Sequence, residues 1–316
     1  MKKFLIPLFI VLVAATGYNF TSSPGAGCKI YQSHAPIVLR NKHFVTISGD
    51  SINGGNGSCI KLINCDHIRV TSCRLQNGTT DTSRGVWIVN CTNVQVDDNY
   101  ITSVAQGVLA TGSKHVNITA NDILNVTSST AGSYVQFISV TGGQNHITKN
   151  HCESLTGAKP QDGIDIVTSS GLSFSPIYIQ GNDIRGGGPS KSGSGIKLGH
   201  SGGSWQTAQD NILVNCGTNG IVIDSGRNIK VFNNSIFSKQ VTHVSYAGIR
   251  VINAATPLSV TITGNKIKWR DSANTERDTI LLGKHQTGYL ANTLAATIDS
   301  TLLPVQLLKH CNHVGF

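Results

Sequence analysis

Along the chain, apolar residues alternate with polar ones in short runs, and the runs recur. The unit reads apolar-x-apolar-x-x-Asn-x-apolar. Clear copies are Ile68/Val70/Cys73/Leu75, Val94/Val96/Asn99/Ile101, Val116/Ile118/Asn121/Ile123, Ile177/Ile179/Asn182/Ile184, Ile229/Val231/Asn234/Ile236 and Val260/Ile262/Asn265/Ile267. Weaker copies are Val45/Ile47/Asp50/Ile52, Asn145/Ile147/Asn150/Cys152 and Trp205/Thr207/Asp210/Ile212. The Asn position returns every 22 to 32 residues. Between the copies sits a second element, typically Gly-apolar-x-apolar, as in Gly85-Val86-Trp87-Ile88, Gly163-Ile164-Asp165-Ile166, Gly195-Ile196-Lys197-Leu198 and Gly248-Ile249-Arg250-Val251.

A period of two marks strands with one buried face. Three such strands per repeat form one triangular coil, and a lone coil cannot cover its own inner face. The coils must stack, with equivalent strands pairing in parallel at about 4.8 Å per coil. Nine coils then span roughly 38 Å from first to last. The recurring Asn fits the tight bend between the second and third strands. It tolerates left-handed angles there, and its amide can bond to its counterpart in the next coil. These asparagines are scaffold and not ligands.

The pattern resembles the right-handed parallel β-helix, pectate-lyase-like superfamily, over about residues 43–284. The expected fold is all-β, a single-stranded right-handed parallel β-helix of about nine coils, three strands per coil, with capped ends. The expected organisation is a signal peptide at 1–17, an N-terminal cap at 18–42, the β-helix at 43–285 and a C-terminal cap at 286–316. Leu290, Leu294 and Ile298 stand at helix-like spacing in the last segment.

Lys2 and Lys3 precede an apolar stretch from Phe4 to Ala15, with small residues following, which is the layout of a secretory signal. The stretch is short for a membrane span, so no stable membrane insertion is expected after cleavage. The expected location is extracellular or periplasmic. Export makes the 8 cysteines compatible with disulfides. Cys65 and Cys91 occupy equivalent places one coil apart, either as a disulfide or as stacked buried thiols.

Composition narrows the partners. Charged residues make up only 13% of the chain, yet 25 Lys and Arg against 16 Asp and Glu give a formal charge of +9. That balance suits an anionic partner. Few of the cations lie in runs, so nucleic acid fits less well than an acidic polysaccharide.

In this fold the longer turns leave from one corner, and their length grows from the fourth coil onward: 125–133, 153–162, 185–194, 237–247 and 268–278. They would wall one side of the first-strand sheet, whose outward positions are Lys61, Trp87, Leu109, Gln136, Asp165, Lys197, Val222, Arg250 and Leu281. Asp165, Lys197, Asp224 and Arg250 therefore gather on coils five to eight, with His200, His243 and Tyr246 nearby. Elimination on a uronate needs a cation on the carboxylate and a base for the adjacent proton. The expected catalytic residues are Lys197, Arg250, Asp165 and His200. Asp224, His243, Tyr246, Trp87 and Lys61 are the expected substrate-binding residues. The same charges also read as cross-coil ion pairs, Asp165 with Lys197 and Asp224 with Arg250.

The resemblance further implies calcium-dependent lyases, for which Asp162 and Asp165 are the candidate ligands. Two carboxylates are few for a cation that takes about six to eight oxygens. Asp162-Gly163-Ile164-Asp165 is similar to part of the polygalacturonase signature, and Gly248-Ile249-Arg250-Val251 to a segment of alginate lyase and chondroitinase B relatives. The expected function is a secreted polysaccharide lyase. The alternatives are a non-catalytic adhesin or glycan-binding surface module, an inverting glycoside hydrolase, and a uronate C5-epimerase.

Overall fold

The structure is a computed structural model. It describes residues 31–305 and 307, apart from 79, 129–131, 155–159, 187–192, 240–245, 254–259, 271–272, 274, 277–279, 282–290 and 295. Three parallel sheets wind about one axis, of ten, ten and nine strands. The first sheet runs from Ile37–Arg40 to Ile280–Leu281, the second from His43–Ser48 to Val260–Thr263 and the third from Gln32–His34 to Lys266–Arg270. Successive strands of the chain fall in different sheets, and each pairs with the strand one winding away. This is the architecture that the repeat demands.

The described chain is already wound at residues 32–40, inside the segment expected to be the N-terminal cap, since Ile37 pairs with Ile60 and Gln32 with Asp50. The signal-like segment, Cys28 and Cys311 lie outside the described residues, as does Leu290. In the C-terminal segment the one helical turn among the described residues is a short 3-10 turn, Ser300–Leu302, capped by Asp299. Leu294 is exposed, whereas Ile298, Leu303 and Leu307 pack on Val214 and Phe237 of the third sheet. The Arg185 guanidinium holds this segment by donating to the Pro304 and Val305 carbonyls while pairing with Glu153 at 2.9 Å. Apolar contact with the sheet face, and not helical periodicity, sets the spacing of these leucines.

The inward positions form one continuous core of Ile, Val, Leu and Cys side chains. The six described cysteines are buried free thiols. Cys65 and Cys91 are stacked as expected, with the Cys65 backbone N–H donating to the Cys91 sulfur at 3.3 Å. The pair is therefore two thiols and not a disulfide.

The asparagine ladder runs through Asn99, Asn121, Asn150, Asn182, Asn211, Asn234, Asn265 and Asn292. Each side-chain amide donates to the next side-chain oxygen at 2.8–3.0 Å. Each side-chain oxygen also accepts the backbone N–H of the previous asparagine, as between Asn150 and Asn182 at 3.0 Å. The left-handed residue of the bend is the one before the ladder position: Asp98, Ala120, Lys149, Gly181, Asp210, Asn233 and Gly264 all have positive φ. The asparagine itself is selected for its amide. The copy read as Trp205/Thr207/Asp210/Ile212 is also shifted by one residue. Ile177 pairs with Gln206 and Ile179 with Ala208, so the winding is Gln206/Ala208/Asn211/Leu213 and keeps its asparagine. A buried Gln at a usually apolar position, beside an apolar Trp205, blurs the pattern there.

Candidate functional site

The outward residues of the first sheet form a single file. Lys61, Trp87, Leu109, Gln136, Asp165, Lys197, Val222, Arg250 and Leu281 pair in unbroken register from winding to winding. Distant parts of the chain thereby become neighbours at about 4.8 Å per step.

The register breaks locally at one point. Asp165 pairs with Lys197, but Val167 pairs with His200, so the strand Ser194–His200 carries one extra residue. Gly199 supplies that bulge, at φ +60° and with the Ser225 carbonyl only 1.8 Å from where a Cβ would stand. Gly199 is required on both counts. The buried Gln206 braces the bulge, accepting from Gly199 N at 2.8 Å and donating to the Ser169 carbonyl at 2.8 Å.

The bulge brings His200 beside Asp165. His200 Nδ1 lies 3.0 Å from Asp165 Oδ1, with the carboxylate almost fully buried and the His200 side chain 31% exposed. The other oxygen, Oδ2, accepts from Gln136 Nε2 at 2.7 Å. Gln136 in turn accepts from Gln106 at 2.9 Å, and Gln106 from Arg84 Nε at 2.9 Å. Arginine can only donate, so the two amides are oriented end to end, each donating toward Asp165. Asp165 then accepts a hydrogen bond from His200 Nδ1–H, which leaves Nε2 as the ring's free basic nitrogen. The hydrogen bond to Asp165, opposed by partial burial, raises the His200 pKa above its ordinary value.

Asp162 is 2% exposed and accepts from both the backbone N–H and the hydroxyl of Ser194, at 2.9 and 2.7 Å. Burial, and then the Asp165 charge, push its pKa up to about 6. Lys197 is near enough to oppose that rise.

The other expected residues divide. Lys197 and Arg250 are half-buried on the same face, two steps apart, with Arg250 stacked on Tyr246 at 4.9 Å. Asp224 accepts a long bond from Ser201 N at 3.4 Å. Trp87 and Lys61 stand at the other end of the file, four and five steps from Lys197. His243 lies outside the described residues. The expected ion-pair ladder is not what forms: among the described residues Asp165 pairs with His200 rather than Lys197, and Arg250 meets Tyr246 rather than Asp224.

The calcium candidates do not fit a calcium ion. Asp162 Oδ1 is committed to Ser194, and both Asp165 oxygens are committed to Gln136 and His200. Among the described residues no group of three or more His, Cys, Asp or Glu is arranged to hold a metal. Sequence reasoning missed Gln106 and Gln136 as supports of Asp165. Their signal was a Gln at outward positions of adjoining windings, visible only once the register is known.

Three parallel sheets wound about one axis, an asparagine ladder and a first sheet bearing polar groups define a parallel β-helix. Residues 35–205 match the family described as right handed beta helix region, and the chain belongs to that family. A search of curated proteins gave no match. Among solved structures, the alginate lyase of Paenibacillus sp. str. FPU-7 is similar at a TM-score of 0.50, with 14% identity over 83% of this chain and 94% of that one. The DFA-IIIase of Arthrobacter chlorophenolicus A6 without its lid gives 0.47 and 12%, over 80% and 60%. PfbA, a surface adhesin of Streptococcus pneumoniae, gives 0.46 and 12%, over 78% and 71%. At these identities the likeness is one of fold.

Proposed function

We propose that the protein is a carbohydrate-active β-helix enzyme that cleaves an acidic polysaccharide by β-elimination. The observation that carries this reading is the Asp165–His200 pair, 3.0 Å apart on a face where Lys197 is the next residue in register. Lys197 and Arg250 supply positive charge for the uronate carboxylate, which acidifies the proton on the adjacent carbon. His200 Nε2 takes that proton. The C–H electron pair becomes the C4–C5 double bond, the C4–O bond breaks, and the imidazolium returns the proton to the departing glycosidic oxygen. Asp165 holds the ring and does not touch the sugar. Tyr246 and Asp224 line the same stretch of face.

A hydrolase reading is weaker on the same geometry. It needs two carboxyl groups facing the sugar, and both oxygens of Asp165 are occupied. A C5-epimerase would share the proton abstraction and lack the bond cleavage. Secretion to the periplasm or the exterior fits a polymeric substrate and belongs to the same proposal.

The test is an ultraviolet assay for unsaturated uronate on alginate, pectate and glycosaminoglycans. The elimination reading expects absorbance to grow on at least one of them. Reducing ends without absorbance would mean hydrolysis. A changed epimer ratio without cleavage would mean epimerisation. Binding without any turnover would mean a glycan-binding module.

A further inference from the structure

At the other end of the file, two cations lie against the Trp87 indole. Lys61 Nζ is 3.7 Å from the indole centroid and the Arg84 guanidinium carbon is 4.4 Å from it. Arg40 is close enough to act on Lys61: burial first, then the Arg40 and Arg84 charges, hold the Lys61 ammonium below its ordinary pKa. Burial likewise lowers Arg84. Among the described residues none of Arg40, Lys61 and Arg84 takes part in an ion pair with a carboxylate. Arg84 spends two donors on Gln106 and the Thr82 carbonyl. The Trp87 indole N–H is buried and has no acceptor. Three cations without a carboxylate partner are an arrangement that an anion would complete.

We infer that Lys61, Arg84 and Trp87 form a distal subsite for an acidic sugar of the same chain that is cleaved near His200, so that the substrate is an acidic oligosaccharide long enough to span the face. Trp87 and Asp165 are three steps apart in register, about 14 Å. A glycan running along the file would place one acidic unit against Lys61 and Arg84, beside the indole, and another at Lys197. The file between them holds Leu109, Gln136 and Asp165; Leu109 and Asp165 are buried, and both Asp165 oxygens are taken up by Gln136 and His200. The indole offers an apolar face for a sugar ring where the cations do not cover it.

This inference rests on the acidic-glycan reading, and its test uses binding so that the two fail separately. Titration calorimetry would compare the wild type with Lys61→Gln and Lys61→Glu, using hexamers and dimers of galacturonate and mannuronate, and a neutral cellohexaose. Lys61 lies at the surface, and an unchanged unfolding midpoint would confirm that each variant folds. The expected result is acidic-hexamer affinity reduced about fivefold by Lys61→Gln, more by Lys61→Glu, and dimer affinity unchanged. Unchanged hexamer affinity in both variants, equal loss for dimer and hexamer, equal binding of cellohexaose, or no binding of either acidic hexamer would each overturn the subsite. Lys61-dependent hexamer binding without turnover on any polyuronate would retain the subsite and remove the elimination reading. Turnover with unchanged hexamer binding in both variants would do the reverse.

Discussion

Replacing Asp162 with Asn should make the protein more stable at neutral pH. Asp162 is buried beside another carboxylate, and its pKa is pushed up to about 6 from an ordinary 3.8. A raised carboxylate pKa means that the folded state holds its proton more tightly than the unfolded chain does. Stability is then lost as pH rises between the two values, and the loss is complete above about 6. A shift of this size corresponds to about 3 kcal/mol. Asparagine is uncharged, and its side-chain oxygen can accept both bonds from Ser194, so the variant should escape the loss. Urea unfolding of both proteins from pH 3.5 to 8 would read it. The variant should gain on the wild type by up to about 3 kcal/mol, with the gain appearing between pH 4 and 7 and level thereafter. A difference between the two proteins that stays flat across that range would refute the reasoning. It would mean that Asp162 titrates alike folded and unfolded, and that the carboxylates do not oppose each other.

Further outcomes follow from the same geometry. Asn182→Leu removes the acceptor for Asn150 and the donor to Asn211 and the Ile147 carbonyl. It should cost about 3 kcal/mol or more in chemical denaturation. Lys197→Ala and Arg250→Ala should each abolish turnover at unchanged unfolding midpoint, and wild-type turnover in either would remove that residue from the mechanism. Gly199→Ala places a Cβ against the Ser225 carbonyl. It should lower both stability and kcat by displacing His200, and an unaffected kcat would show that the bulge does not position the base.

The fold was legible because a solenoid writes its register into the chain: each winding must repeat the inward pattern or leave a gap in the core. That is why Val94/Val96/Asn99/Ile101 and its copies placed the sheets, and why the outward file from Lys61 to Leu281 could be listed in order. Legibility failed where one residue is inserted or where a polar side chain faces inward. The bulge at Gly199 changes which side chain meets Asp165, so neighbours inferred from regular spacing paired it with Lys197, whereas the extra residue delivers His200. Gln206, buried at a position that elsewhere holds Ile or Val, hid the true frame of its winding and moved the expected asparagine to Asp210. The polar chain from Arg84 through Gln106 and Gln136 to Asp165 joins residues 81 positions apart in sequence (84 to 165), and no local motif marks it. The signal-like segment and His243 lie outside the described residues.

The central claim is that Asp165 turns His200 into the base of the reaction. It is tested most directly by titrating the His200 imidazole by NMR in the same preparations whose kcat/KM is followed against pH. The account expects His200 to titrate above its ordinary 6.5, kcat/KM to rise with pH through that same value, and Asp165→Asn to move both downward together. A His200 that titrates below 6.5, or a kcat/KM inflection that stays in place when the His200 pKa moves, would contradict it.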